Sequence, residues 1–322
     1  LDLRQLRYFI AIAEAGSFSA AAERLHIAQP ALSQHVLNME AELGARLLQR
    51  NPRGVVATEA GTRLLARARA IEVEFQSLGD HVRGAAIPRG QVRFGMPGTI
   101  NEQLGVALIE AGRQLYPEVK IRISEAMSGF VLNWLRDGVV DVAMLYNVPD
   151  EKGLVLHHAL TEEIHLFGIP GLKPWPSGKR VTLATALRLP LILPSPGHGL
   201  RELIETAARE IGQLVAPSIE IDSYRQIKQL AARGLAFGVL PATAIRQEVA
   251  DGMFRAWRIA QPALMRRIYL GHLAAVPLSS ASRAIAQLSW TILRQLVESG
   301  EWTADWNPAA AQSVLPELPN PS

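Results

Sequence analysis

The chain has no cysteine. Disulfides, thiolate metal sites and thiol redox switching are therefore excluded, and a reducing compartment, the cytoplasm, is the expected setting. No stretch approaches the roughly 18 consecutive apolar residues that a membrane-crossing helix needs, so no membrane is expected among the partners. There is no glycine-rich phosphate loop of the P-loop kind. Lysine is missing before Lys120, and residues 1–90 hold eleven Arg against nine Asp plus Glu. That end of the chain is barely basic, so any specificity for nucleic acid has to come from positioned contacts. Asp2, Arg4 and Arg7 fall in an amphipathic pattern, not in front of a signal-peptide apolar core.

What is present is a soluble globular balance, 48% hydrophobic and 20% charged over 322 residues. That length calls for two or three domains. Residues 17–50 are the most informative stretch. A first helix, about Asp2 to Ala15, places Leu6, Phe9, Ile10 and Ala13 on one stripe and stops at Gly16. Ser17 caps an alanine-rich helix from Phe18 to about Leu25. His26-Ile27-Ala28 makes a tight turn, and Gln29-Pro30 opens a third helix, where proline costs no hydrogen bond. Leu32, Val36, Met39 and Leu43 step by 4, 3, 4 and are expected to point inward. Gln29, Ser33, Gln34 and Asn38 lie on another face. Gln and Asn pair with adenine edges and Ser serves phosphate or base, which is the chemistry of a recognition helix in a major groove. Residues 47–58 read as a wing, with Arg50 and Arg53 at its tip suited to phosphates or a narrow minor groove. Ser17, Gln29, Pro30, Ser33, Gln34, Asn38, Arg50 and Arg53 are thus the candidate DNA-binding residues.

Thr58 caps a long helix from about Glu59 to Gly84. Leu64, Ala68, Ile71, Phe75, Leu78 and Val82 step by 4, 3, 4, 3, 4, a seam of nearly three heptads for a helix partner. At 1.5 Å per residue the helix spans roughly 40 Å. A break follows at residues 84–90, where Pro88 and Gly90 end the helix. Beyond it, strand and helix patterns alternate, which predicts parallel α/β sheets. Ligands in such sheets sit beyond the carboxyl ends of the strands. The loops expected there contain Pro97, Gly98 and Thr99, Met127 and Ser128, Tyr146, and Ser195, His198 and Arg201, with Tyr224 at a further helix start. Several precede helices, whose free N–H groups favour an anion, so a small carboxylate is the expected ligand class.

Catalytic and metal readings find little footing. His157 and His158 alternate across a strand, and His165 lacks a carboxylate at useful spacing. Ser195 and His198 read better as a loop entering a helix than as a catalytic pair. No enzyme, metal or cofactor is expected. Trp302 and Trp306 are expected to dock part of a C-terminal tail, 301–322.

Residues 1 to about 86 resemble the N-terminal domain of LysR-type transcriptional regulators. The matching positions include Leu3, Leu6, Phe9, Ala21, Ala22, Leu25, Gln29, Pro30, Ala31, Ser33, Glu40, Leu43, Gly44, Leu47, Arg50, Thr58, Gly61 and Leu64. Leu48 and Met39 replace the usual Phe and Leu, both conservative. HIAQPALSQ at 26–34, GQVRFGMPGT at 90–99 and AFGVLPATA at 236–244 are most similar to the nitrogen assimilation control branch. The resemblance implies an α+β multi-domain chain: a winged helix-turn-helix (1–58), a linker or dimerisation helix and hinge (59–89), and an effector-binding domain (90–300) of periplasmic-binding-protein type. Its subdomain I would comprise 90–162 and 269–300, and subdomain II 163–268. It implies a homodimer or homotetramer on pseudo-palindromic double-stranded DNA, with RNA polymerase as a further partner. Some members of that branch are thought to act without an effector, so an effector-independent regulator stays open. The alternative class is a solute-binding or carrier protein with an N-terminal helical dimeriser.

Overall fold

Asp2 starts the first helix by accepting a bond from the Gln5 amide, while the Gln5 side chain accepts from the Asp2 amide. The computed structural model describes residues 1–51, 54–82, 87–148 and 151–307, with the side chains of 76–82 left aside. Helix α1 (Leu3–Ala15) ends at Gly16 in the left-handed conformation. Ser17 caps α2 (Phe18–Leu25), and α3 (Gln29–Leu43) follows a turn through left-handed His26. The wing is a hairpin of β1 (Leu48–Asn51) and β2 (Gly54–Ala57). Phe9, Ile12, Ala21, Leu32, Val36, Met39 and Leu47 close one core beneath these elements. Leu43 departs from the inward stripe expected of it and is 41% exposed, because α3 ends there and the chain turns off at Gly44.

Thr58 accepts a bond from the Gly61 amide at 3.0 Å and so caps α4 (Glu59–Val82). The expected dimer seam divides along this helix. Ala68 is buried in the winged core beside Leu65, and Leu64 packs against the same core. Each turn of α4 near its start lies over α1, so the seam's first third covers the chain's own domain. Ile71 and Phe75 remain 46% and 47% exposed. The side chains of Leu78 and Val82 lie outside the described residues.

The second half opens with β3 (Gly90–Met96), α5 (Gly98–Leu115), β4 (Val119–Glu125), α6 (Ser128–Arg136) and β5 (Val142–Tyr146). A 15-residue strand, β6 (Leu154–Gly168), then leads out of this subdomain. The other subdomain holds β7 (Arg180–Thr182), α7 (Leu183–Ala186), β8 (Leu191–Leu193), α8 (Gly199–Glu210), β9 (Ile219–Glu220), α9 (Tyr224–Ala232), β10 (Phe237–Pro241), α10 (Arg246–Ala250) and β11 (Arg255–Ala260). The chain returns through β12 (Met265–Leu273), α11 (Ser280–Glu298) and β13 (Asp305–Trp306).

The strands run in the order β4-β3-β5-β12-β6-β10-β8-β9. The sheet is mixed, not parallel as the alternation predicted. β3 is parallel to β4 and β5, and β8 is parallel to β9 and β10, but β6 and β12 pair antiparallel. The chain leaves and re-enters subdomain I along one seam, so the returning strand must run against the outgoing one. Leu264 belongs to the second subdomain's core and Ile268 to the first's, which places the return at residues 265–267, just before the boundary read from sequence. Trp302 is buried in the first core and β13 pairs with β6, so the structured unit continues past residue 300. Residues 308–322 lie outside the described residues. Among the described residues no helix is long and apolar enough to cross a membrane.

Candidate DNA interface and effector site

Helix α3 buries Leu32, Val36 and Met39, which fixes the rotation of its other faces. Gln29, Pro30, Gln34 and Asn38 are exposed, and Ser33 is half-buried between them. Their side chains bond along the helix, Gln29 Nε2 to Ser33 Oγ at 3.4 Å and Gln34 Nε2 to Asn38 Oδ1 at 2.9 Å. These contacts span one turn of the helix. α1 and α2 carry side-chain caps, whereas Ala28 at the start of α3 supplies none. Pro30 has no N–H, so the Gln29 and Ala31 N–H groups are the ones without a capping side chain, suited to an outside acceptor such as phosphate. Ser17 sits differently from the other candidates: its hydroxyl accepts from the Ala20 amide and caps α2.

The wing is tied to α3 by a residue that sequence reasoning uses only as a family match. Glu40 Oε1 accepts from the Leu47 and Leu48 amides at 2.7 and 3.1 Å, so wing and helix move together. At the wing's other strand Gly54 has φ +124°, and a Cβ there would collide with the Gly16 carbonyl oxygen. Only glycine lets the wing root approach the α1–α2 turn this closely. Arg50 lies over the Phe18 ring at 5.3 Å, which anchors its stem and holds the guanidinium beside α2. Arg53 falls outside the described residues.

Replacing Gln29 by alanine is expected to cost about 1–3 kcal/mol of specific affinity while leaving the salt dependence nearly unchanged, because an uncharged side chain displaces no counterion. Titrations at several salt concentrations check this; a much shallower salt slope in the variant contradicts the assignment.

The second site lies between the two subdomains. A cavity of about 420 Å³ is lined by Pro97, Gly98, Thr99, Met127, Ser128, Tyr146, His198 and Tyr224, all candidates from the sequence. Helices α5, α6, α8 and α9 begin at it. Among the described residues no side chain caps α5 or α6 after Pro97 and Met127, so the first two N–H groups of each helix meet no capping acceptor. His198 caps α8 by accepting the Leu200 amide on Nδ1 at 3.2 Å. Burial, and then the nearby Arg266, lower its pKa.

Two candidates lie elsewhere. Ser195 is held by Asp222, which accepts from its amide at 2.9 Å and its hydroxyl at 2.6 Å and is thereby pushed below the ordinary carboxylate range. Arg201 is buried against Glu205, Glu220 and the Pro194 carbonyl. Its charge is already matched, so it ties α8 to β9 and does not line the cavity. Arg201 and Glu205 stand at i, i+4, the spacing of a helical ion pair.

The residue that sequence reasoning misses is Arg266. It is 3% exposed, lies over the Tyr146 ring at 3.8 Å, and donates to Thr99 Oγ1 at 3.2 Å. Thr99 in turn bonds the Tyr146 hydroxyl at 2.6 Å. Burial opposes the charge on Arg266, but Glu162 and Tyr146 outweigh it and its pKa is raised. Glu162, 1% exposed, takes both Nε at 2.8 Å and Nη2 of Arg266 on one oxygen and the Trp302 Nε1 proton at 3.0 Å on the other. Burial pushes the Tyr146 phenol up to about 12, so it remains a proton donor. A signal is nonetheless visible in the sequence. Glu162 alternates with Leu160, Ile164 and Leu166, and Arg266 with Leu264 and Ile268, so each places a charge on an otherwise apolar strand face.

His157, His158 and His165 do not assemble a ligand set. His157 stands against His272 and Trp290, and His158 bonds Thr161 and Asn307. Among the described residues no group of three or more His, Asp or Glu is placed to hold a metal.

A winged helix-turn-helix with an open polar recognition face, joined by a long helix to a two-lobed domain with a cavity between its lobes, defines a DNA-binding regulator with a ligand-binding module. The chain belongs to the LysR family of DNA-binding transcriptional regulators: residues 3–62 match the bacterial regulatory helix-turn-helix of the lysR family and residues 85–292 the LysR substrate binding domain. It is 34% identical over 310 residues to the nitrogen assimilation regulatory protein nac of Escherichia coli K12, covering 94% of this chain and 99% of that protein. The protein of the same name from Klebsiella aerogenes is 35% identical over 295 residues, 89% of this chain and 94% of that one. In fold it is similar to a full-length, singly substituted OxyR from Pseudomonas aeruginosa, with a TM-score of 0.77, 24% identity, and coverage of 91% of this chain and 95% of that one.

Proposed function

We propose that this regulator acts in the cytoplasm as a homodimer or homotetramer on pseudo-palindromic double-stranded DNA, and that a small carboxylate in the inter-subdomain cavity modulates it. Its work is binding, with RNA polymerase as a further partner and no reaction catalysed. The exposed Ile71 and Phe75 support pairing through α4, which presents two recognition helices related by a two-fold axis.

The observation that carries the ligand class is the meeting of Thr99, Tyr146 and Arg266 at the uncapped starts of α5 and α6. Hydroxyl donors, a guanidinium edge and free N–H groups all favour an acceptor-only group such as a carboxylate. Calorimetry of the full-length protein with a panel of small organic acids tests this. At least one acid is expected to bind, and Ser128→Ala is expected to weaken it about tenfold by removing one hydroxyl donor from a charged group. No heat from any acid counts against the reading. One observation favours an effector-independent regulator instead: Glu162 already neutralises Arg266, and Glu125 and Asp222 add negative charge to the cavity wall.

A further inference from the structure

A second cluster of charge lies at the other end of subdomain I, where three parts of the chain meet. Glu14, near the end of α1, faces three guanidinium groups: Arg24 at 3.1 Å, Arg69 of α4 at 3.3 Å and Arg93 of β3 at 3.6 Å. Arg69 is buried and donates to the Asp137 carbonyl at 3.1 Å, crossing from the long helix to subdomain I. Its Nε is buried with no hydrogen-bond partner among the described residues, beside a void of about 30 Å³ bounded by Arg93, Asp141, Ser279 and Ser282. Arg93 is held tightly by its own subdomain: Asp141 accepts from its amide at 2.7 Å, its Nε at 3.2 Å and its Nη2 at 2.5 Å.

The strengths are uneven in a useful way. The contacts inside each domain are close, while the charge contact across the boundary, Arg93 to Glu14, is the longest of the set. The strand that carries Arg93 also ends at the cavity. From Arg93, β3 continues to Met96 and leads through Pro97 into the first turn of α5, which bears Gly98 and Thr99. Its parallel neighbour β5 starts just after Asp141 and ends at Tyr146. Four steps of extended chain carry Arg93 to Pro97, roughly 13 Å, and Thr99 follows in the first turn of α5. Two adjacent strands therefore have the charge cluster at one end and the Thr99–Tyr146 bond at the other.

We propose that Glu14, Arg69, Arg93 and Asp141 form a coupling junction that holds the DNA-reading domain against subdomain I and responds to the state of the cavity at the far ends of β3 and β5. A change that shifts Thr99 and Tyr146 displaces the bonded β3–β5 pair as a unit relative to α1. Arg93 follows Asp141, and Glu14 is then either retained or left to Arg24 and Arg69 alone. Both arrangements keep Glu14 paired, so neither leaves its charge without a partner. The inference does not depend on which ligand fills the cavity, and its test uses none.

Hydrogen exchange followed by mass spectrometry on the full chain, without DNA or ligand, tests the proposal. Thr99→Val and, separately, Tyr146→Phe each remove the bond at the cavity end. Each is expected to speed exchange of the α4 amides at residues 66–73 by at least about threefold, within the range of residue-level coupling. In a Glu14→Gln background, which keeps shape and removes the charge, the same cavity variants are expected to change those amides no further. Arg63→Gln, which breaks only the exposed pair with Glu59, serves as the control and is expected to leave the response intact. Unchanged exchange at 66–73 in both cavity variants overturns the proposal, as does an equal response with and without Glu14. The use of two cavity variants covers the case in which one fails to fold, read from its circular dichroism.

Discussion

Alanine at Glu162 is expected to destabilise the effector domain by about 3–5 kcal/mol, the cost of leaving a buried charge without its partner. Arg266 would keep its guanidinium in a site almost closed to water, and the Trp302 indole N–H would lose its acceptor as well. Urea unfolding of the full-length protein, followed by tryptophan fluorescence, measures the loss. The double variant Glu162→Leu with Arg266→Met removes both charges and replaces them with apolar bulk. It is expected to recover most of the stability, since exchanging a whole buried pair for packed hydrophobic side chains is often neutral. If the double variant is as unstable as the alanine variant, the cost lies in packing and not in charge. Ligand binding separates the two in another way. The double variant lacks the guanidinium that faces Thr99, so its recovered stability is expected to come with lost affinity for any acid the native protein binds.

Lysine at Ile71 is expected to convert the protein to monomers and to weaken its hold on a two-half-site DNA by roughly 100- to 10,000-fold, the usual gain from binding two linked sites. The residue is 46% exposed in the single chain and next to Phe75 on the same helix face. Its neighbour Phe75 carries the Arg7 guanidinium 5.8 Å above its ring, and Arg7 also pairs with Glu72. Charge is thus arranged around the apolar spot and not within it. Sedimentation velocity gives the oligomeric state, and gel shifts on DNA upstream of the gene give the affinity. Intact dimers in the variant would remove Ile71 from the interface. The winged core does not use this side chain, so far-ultraviolet circular dichroism and melting of that domain are expected to stay close to native.

The N-terminal domain is legible in the sequence because its information is local. Caps at Ser17 and Thr58, stops at Gly16 and Gly44, and the spacing of Leu32, Val36 and Met39 each act within one or two helical turns. Leu43 breaks the pattern because a helix end has no further turn to hold it inward. α4 reads as one seam because periodicity records that a face is apolar, not what covers it; its start covers α1, and of the seam's described side chains Ile71 and Phe75 are the exposed ones. In the effector half, helix starts such as Thr99, Ser128 and His198 follow from loop chemistry. Arg266 does not, since its partner Glu162 lies 104 residues away in sequence. Ser195 and Arg201 escape sequence reasoning for the same reason in reverse: Asp222 and Glu220, distant in the chain, have already claimed them.

The course of β6 and β12 limits how the two lobes can move. Neither strand is interrupted at the crossing; they stay hydrogen-bonded from Leu154 opposite Leu273 to Glu163 opposite Met265, with a single irregularity at Ile268/Tyr269. A pair of strands bonded in this way has no swivel point. It yields by winding or unwinding along its length, as a ribbon does under torsion. β13 adds a third strand beside Leu160 and Thr161, toward the second-lobe end of that ribbon. Lobe closure would then be a shallow, springy rotation with a restoring force set by strand twist, and the segment around Trp302 and Trp306 would tune its stiffness.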